Sequence, residues 1–561
     1  MGAPQREHGL RTPGAVLRVP GGRRSRLRDR WAHRVRRAGG GGRGRPAVRR
    51  ERLKVPVHLC GVDLGTTATK AVVVREDGHI LAEATEPSRL IQPAPGVVEQ
   101  DPEEMLDSVV RAVRACVERA ALAPGAVAAL CVDGQMAGLT AVDRAGRAAI
   151  PYDSWLDTRC APYVERMRAH ARAVCEHAGA PPTYSHGPKI LWWRHERPEA
   201  FARIHKFVMP AAYVTMRLAG LSGDDAFIDP TYLHFTCLAD TRRGSWSEEL
   251  CGLFEVSADR LPRIVEPWEV VGRLAPDAAA QLGLRAGVPV VAGAGDQAAA
   301  MLGAGVLRPG QGYDAAGTAS VLAVCVDRFA PDAEAGTVLC ARTVPSGRWY
   351  LIGYVNGGGL NLRWWRDLLQ EVAPGRAWDY AALDELAGRV PPGSEGLVFV
   401  PHLGGRVCPS EPDVRGAWVG LTWSHGPGHL WRALLEGVAY EYRVYLDTAR
   451  ALVPDLPLSE VRVVGGGSRS DLWNQIKADV LELPFARLNL TEAAALGSAI
   501  LAGYGVGVFT DWEEAVSRFV RVERRSLPVP ERARRYGPLA RAYRAAVEAR
   551  SLWEELARAR G

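Results

Sequence analysis

The sequence predicts an α/β fold of two similar lobes facing one cleft. Three observations carry that expectation. The chain has 561 residues, more than a single hydrophobic core usually serves. Strand and helix patterns alternate along it. A Gly-Thr pair recurs after 252 residues, at Gly65-Thr66 and Gly317-Thr318, each time at a strand turn.

The first half opens on strands. Residues 57–62 are an apolar run that ends in Asp63 and a Gly-Thr-rich turn reaching Thr67. Runs 71–74 and 80–84 follow, joined by an Asp77-Gly78 turn, so the domain begins with antiparallel hairpins. A helix comes next because Asp101 can cap its first amides, Pro102 suits its first position and Glu104 its third, while Met105, Val109, Val113 and Val117 share a face. Residues 128–132 form a further strand.

The second half repeats this opening, with the turn at Gly317-Thr318 leading into the apolar run 321–326. A third glycine cluster, Gly465-Gly466-Gly467, separates the strand 461–464 from a helix through Trp473 and Ile476, and there backbone can approach a ligand closely. Residues 492–503 make a helix whose Ala494, Gly497 and Ser498 permit close packing between lobes. That helix start and the run Gly357-Gly358-Gly359 are the places where inter-lobe contacts would slide. Near the end, Leu539, Tyr543, Val547 and Trp553 line one helical face suited to docking on the fold. The expected division is 1–54 as a basic extension, disordered or spurious, 55–302 and 303–520 as the two lobes, and 521–561 as a helical tail.

Composition excludes several classes. A hydrophobic share of 47% and a charged share of 24% are those of a globular protein, and no uncharged apolar run is long enough to span a bilayer. The net charge of +7 is unevenly placed: residues 1–54 hold sixteen Arg and Lys54 against Glu7, Asp29 and Glu51, a local +14 that leaves −7 for the remainder. Such an arm suits nucleic acid or a transit peptide, but it lacks hydrophobic periodicity, and the functional chain is expected to start near Leu53 or Val55. The ten cysteines are scattered without zinc or disulfide spacing and read as reduced, buried thiols.

Two phosphate-binding designs can be compared. The P-loop pattern is absent, since Lys70 follows Gly65 without the second glycine. The segment Gly293-Ala294-Gly295-Asp296-Gln297-Ala298 does fit a dinucleotide fingerprint, yet Asp296 would set its carboxylate against a pyrophosphate. A carboxylate at that turn suits a general base taking a proton from an attacking hydroxyl, and Asp63 supplies a second one facing it across the cleft, so that one would orient Mg²⁺ and the other take the proton. Hydroxyls of Thr66, Thr67 and Thr318 and the amides around Gly65 and Gly317 would cradle phosphate without a lysine.

In the segments Asp63-Leu-Gly-Thr-Thr67, Gly134-Gln135-Met136, Trp155-Leu-Asp-Thr-Arg159, Pro188-Lys-Ile-Leu-Trp192, Gly295-Asp296-Gln297, Gly317-Thr318, Gly416-Ala-Trp-Val-Gly420, Gly465-Gly-Gly-Ser468 and Ala495-Leu-Gly-Ser-Ala499, the chain from about 55 to 507 resembles the FGGY carbohydrate kinases, xylulokinases most of all. The resemblance implies two ribonuclease-H-like (actin-like ATPase) lobes and an ATP- and Mg²⁺-dependent kinase acting on a small sugar in the cytoplasm. It implies no nucleic-acid or membrane partner, and a homodimer stays open. It makes Asp296 the base and, with Asp63, the metal-side carboxylate. It assigns ATP to Thr66, Thr67, Gly317, Thr318, Gly465, Gly466, Gly467 and Asn474. Around the sugar it sets Gln135, Met136, Ala137, Trp155, Asp157, Arg159 and Gln297. A core aromatic and an ion pair are the plain alternatives for Trp155, Asp157 and Arg159.

The departures bear on substrate. Ala137 stands where xylulokinases usually carry His, Gln297 where Asn often follows the base, and 405–409 differs from the usual loop. D-xylulose leads, with another ketose, a polyol or an aldonate behind it. The other class the fold admits is a nucleotide-gated interaction protein of the actin or chaperone type.

Overall fold

In the computed structural model, which describes residues 56–375 and 377–560, the opening apolar runs are β1 (His58–Leu64), β2 (Ala68–Arg75) and β3 (Ile80–Pro87), paired as successive antiparallel hairpins. Helix α1 (Pro102–Arg119) starts where Asp101 accepts a hydrogen bond from the Glu103 amide, and it buries Met105, Val109, Val113 and Val117 against β2 and β3. Strand β4 (Val127–Gly134) then returns parallel to β1.

The chain next builds a helical region that includes α2 (His186–Glu196), and re-enters the sheet through β5 (Val270–Arg273) and β6 (Pro289–Val291) before α3 (Asp296–Gly303). The finished sheet runs β5-β6-β4-β1-β2-β3.

The second lobe repeats the plan. Its sheet contains β7 (Gln311–Ala316), β8 (Ser320–Val326), β9 (Leu339–Arg342), β10 (Trp349–Val355), β11 (Glu460–Val464), β12 (Phe485–Leu488) and β13 (Val522–Ser526). The order is β9-β10-β8-β7-β11-β12-β13. Strand β7 pairs antiparallel with β8 and parallel with β11, as β1 pairs with β2 and β4. Each sheet thus carries the same succession of antiparallel and parallel pairs, with β9 the extra strand. The Gly-Thr repeat marks this duplication: Gly65 lies in the β1–β2 turn and Gly317 in the β7–β8 turn.

Helices α4 (Gly358–Val372), α5 (Pro427–Leu452) and α6 (Asp471–Leu481) cover the second sheet, and α7 (Ala494–Gly505) follows β12. Stretch 521–561, set apart in the sequence as a tail, contributes the edge strand β13 and the helices α8 (Pro530–Val547) and α9 (Arg550–Arg560). Tyr543, Val547 and Trp553 are buried in that lobe's core, and Leu539 packs against it, so the expected docking face is the observed one.

A hydrophobic cluster common to both lobes forms around α3 and α7, and small residues make it dense. A Cβ on Gly497 would sit 1.9 Å from the Ala299 carbonyl oxygen, one on Gly303 1.9 Å from that of Ala493, and one on Gly61 2.0 Å from that of Ala495. Helix α7 is therefore in backbone contact with α3 on one side and β1 on another. The Gly357–Gly359 run packs elsewhere, on its own lobe's turn, where the amide of Gly359 donates to the Gly317 carbonyl. It makes no sliding contact between lobes. The expectations for residues 1–54 lie outside the described residues.

Adding one methyl at this crossing should be costly. Gly497→Ala is expected to lower stability by about 1–3 kcal/mol in urea unfolding, the usual effect of overpacking. Gly252→Ala, whose Cβ would meet nothing within 4 Å, should leave stability unchanged or slightly higher.

Candidate active site

Three carboxylates meet because three parallel strand ends of the first-lobe sheet lie side by side, so Asp63 and Asp296 are neighbours on one wall and do not face each other across the cleft as expected. Asp63 on β1 is the register partner of Asp133 on β4. One residue beyond Asp133, Gly134 bridges in parallel to Gly295, which places Asp296 at the start of α3 next in line. Loops at the carboxyl ends of parallel strands are where α/β sheets bind ligands.

The glycines of the 293–298 segment have local tasks. Gly293 adopts φ +86°, and a Cβ there would meet the Val132 carbonyl oxygen at 2.0 Å, while one on Gly295 would strike the Met136 side chain. The fingerprint-like spacing reflects a turn pressed onto β4 and Met136, not a pyrophosphate cradle.

Asp296 is partly enclosed. Its Oδ1 accepts from the Gln297 amide at 2.6 Å. Burial, and then the charge of Asp63, push its pKa up to about 7. Asp133 is wholly buried, and burial with the neighbouring Asp63 raises its pKa far above the carboxylate range. Two like charges side by side and buried oppose double ionisation, so Asp133 keeps its proton. Asp133 Oδ2 also accepts from Ser498 Oγ on α7 at 2.6 Å, and its Oδ1 has no partner. Sequence reasoning missed Asp133, whose only signal is its pairing with Asp63 once β4 lies against β1.

A cleft of about 1510 Å³ opens at these strand ends, and Thr66, Met136, Ala137, Trp155, Asp296 and Gln297 all line it. Trp155 Nε1 donates to Thr66 Oγ1 at 2.8 Å, and that hydroxyl donates in turn to Gln135 Oε1 at 3.1 Å. The Thr66 proton is committed, so toward an anion this residue offers its backbone amide. Gln135 is buried and holds the network through Gln100.

Asp157 and Arg159 are not brought to the cleft wall. Asp157 is fully buried and accepts from the Val98 amide at 2.7 Å and from the Arg159 guanidinium at 2.6 and 2.8 Å. Arg159 also pairs with Glu99 at 2.7 Å and lies over the Trp192 ring. The pair anchors the loop carrying Trp155, because a charge this deeply enclosed persists only when matched.

Glycine-built segments converge in the second lobe. Thr318 is exposed at the tip of the β7–β8 turn, as Thr67 is in the matching turn. Gly465, at φ +84°, and Gly467 both press on Ala316, which closes the loop onto the Gly317 turn. Asn474 is buried behind that loop, its Nδ2 donating to the Ser468 carbonyl at 2.8 Å.

The models of the N- and C-terminal domains of the FGGY family of carbohydrate kinases match residues 58–303 and 314–506. The chain belongs to this family. The FGGY relatives include a glycerol kinase of Aromatoleum aromaticum, 34% identical over 508 residues, covering 88% of this chain and 99% of that one. A gluconokinase of Bacillus subtilis is 29% identical over 493 residues, covering 86% and 94%. The crystal structure of xylulose kinase from Rhodospirillum rubrum superposes with a TM-score of 0.79 at 29% identity, covering 87% of this chain and 98% of that one. The FGGY family fixes the chain as an ATP-using carbohydrate kinase of two actin-like lobes, and the dinucleotide-fingerprint reading of the 293–298 segment falls. These relatives differ in the substrate they are named for.

Removing the Ser498 hydroxyl would strip the buried Asp133 carboxyl of a donor. Ser498→Ala is expected to cost about 1–3 kcal/mol of stability, the usual penalty for a buried polar group left unpaired. Thermal and urea unfolding of the purified variant would check it.

Proposed function

We propose that this kinase transfers the γ-phosphoryl group of ATP to a hydroxyl of a ketose or related sugar, D-xylulose the leading candidate, with Asp296 as general base. The observation that carries the reading is the placement of Asp296: a carboxylate on the cleft wall, at a helix start, with its pKa raised to about 7. A base so poised is half-ionised near neutral pH and accepts a proton effectively. The sugar O–H gives its proton to the Asp296 carboxylate as the oxygen bonds to the γ-phosphorus, and ADP leaves with the electrons of the broken P–O bond.

The other assignments follow from position. Backbone amides of the Gly65 and Gly317 turns, with the exposed Thr67 and Thr318, would hold phosphate oxygens, and the Gly465–Gly467 loop would take the adenine end. Met136, Ala137, Trp155 and Gln297 would border the sugar.

Asp63 and Asp296 suit Mg²⁺ because both offer only oxygen donors, the ligands a hard cation takes. A cation that keeps water and phosphate ligands fits so open a set, and bound there it would neutralise phosphate charge. Ten buried, free cysteines fit a reducing, cytoplasmic compartment. D-xylulose leads on the likeness to the xylulose kinases, while Ala137 and Gln297 keep other sugars in the comparison.

An ADP-release screen over ketoses, polyols and aldonates tests the substrate. For the base, Asp296→Asn should lower kcat by about 10²–10⁴ while sugar and ATP still bind in calorimetry. Near-normal turnover in the folded variant would remove Asp296 from the proton transfer.

A further inference from the structure

The acceptor end of the cleft holds polar side chains that phosphoryl transfer leaves unused. His234 and Tyr350 line the cleft and are almost wholly buried, yet His234 Nδ1 and Tyr350 OH have no hydrogen-bond partner in the protein. Gln297, next to Asp296, also lines it, with its Oε1 unpartnered. These groups are neighbours: the His234 and Tyr350 rings lie 6.5 Å apart, and the charge of Asp296 is felt at the Tyr350 hydroxyl. Behind them the buried His186 ring packs edge-on against Phe235 at 6.4 Å, with both nitrogens unpartnered. Folded proteins seldom gather such atoms in one place unless a ligand or water satisfies them.

We infer that His234, Tyr350 and Gln297 form a wall that reads substrate hydroxyls, and that the acceptor is an uncharged ketose or polyol rather than a sugar acid. The inference rests on the kinase reading above and deepens it by assigning residues and a charge class to the acceptor site. Imidazole, phenol and amide together both donate and accept, as sugar hydroxyls do. Burial pushes the pKa of His234 and of His186 down to about 3, so both rings are neutral.

Three of the four arginines on the cleft wall are already paired with carboxylates. Of the arginines lining the cleft, Arg168 is paired with Glu165, Arg406 with Glu411 and Glu441, and Arg544 with Asp447, while Arg550 opens α9 in the second lobe. Arg159 and Lys189 are committed to Asp157 and do not line the cleft. Beside Asp296 an acid group would lose hydration against a like charge, and among the described residues the only lining arginine without an ion pair, Arg550, belongs to the second lobe's last helix. Ala137 adds no charge, and its small side chain leaves room next to Met136 for a hydroxylated chain.

The test compares acceptors matched in carbon skeleton, D-xylulose against D-xylonate and D-glucitol against D-gluconate, by kcat/KM in the full-length enzyme. The better neutral acceptor should exceed every acid by at least about tenfold. Tyr350→Phe should then lower kcat/KM for that acceptor by about tenfold, chiefly through KM, and His234→Gln should retain more activity than His234→Ala because the amide can still hydrogen-bond. Preference for an aldonate would overturn the charge class and leave the kinase reading intact. Unchanged kcat/KM in folded Tyr350→Phe and His234→Ala would overturn the hydroxyl-reading wall. Absence of ADP release with every acceptor would overturn both readings.

Discussion

The backbone contact between α3 and α7 is the constraint on which the site depends. Helix α3 begins with Asp296, and α7 carries Ser498, which binds Asp133. With no side chain at Gly303 or Gly497 to hold the helices apart, the second lobe's helix is pressed onto the first lobe's sheet at Gly61, two residues before Asp63. Packing and electrostatics are thus joined: the same approach that excludes water from the lobe interface encloses the carboxylates and raises their pKa values. A looser crossing would rehydrate them and return Asp296 toward an ordinary, weakly basic carboxylate.

That enclosure carries a charge problem, and the fold handles it unevenly. Three acids at adjacent strand ends repel one another, and only Asp63 has a nearby cation, Lys70, itself shared with Glu492 of the other lobe at 2.5 Å. Asp133 is relieved differently, by keeping its proton and by the Ser498 hydroxyl. The outcome is a division of labour among like residues, since one acid is held neutral, one is partly compensated and Asp296 is left near neutrality. The deeper ion pairs, Asp157 with Arg159 and Glu441 with Arg406, are fully matched and serve to set loops.

Much of this was legible in the sequence, for reasons that can be named. Hairpin turns, the Asp101 cap and the Gly65/Gly317 repeat are local signals, and each corresponds to an element or a duplication in the structure. The small residues of α7 foretold close packing between lobes. What failed was non-local. Asp157 and Arg159 sit in a motif-like segment, but whether they face ligand or core depends on Glu99 and Val98, some sixty residues earlier. Gly357–Gly359 looked like an inter-lobe contact because glycine marks close approach without saying to what. Tail residues 523–526 are polar, and only pairing with β12 makes Val522–Ser526 an edge strand.

Substrate choice is the least local property of all. Ala137 in place of a histidine registers in the sequence only as a loss. The structure shows imidazoles close by on other elements, with His186 at the start of α2 and His234 near Phe235, and its phenol, Tyr350, comes from a strand of the opposite lobe. The proposed wall, drawn from both lobes, is complete only when they are correctly apposed, so the α3–α7 contact that positions Asp296, the proposed base, also positions Tyr350 against His234. On the proposed roles, acceptor recognition and base placement depend on one interface. A mutation that shifts that interface should therefore change substrate preference and turnover together, even though it touches neither the sugar nor ATP.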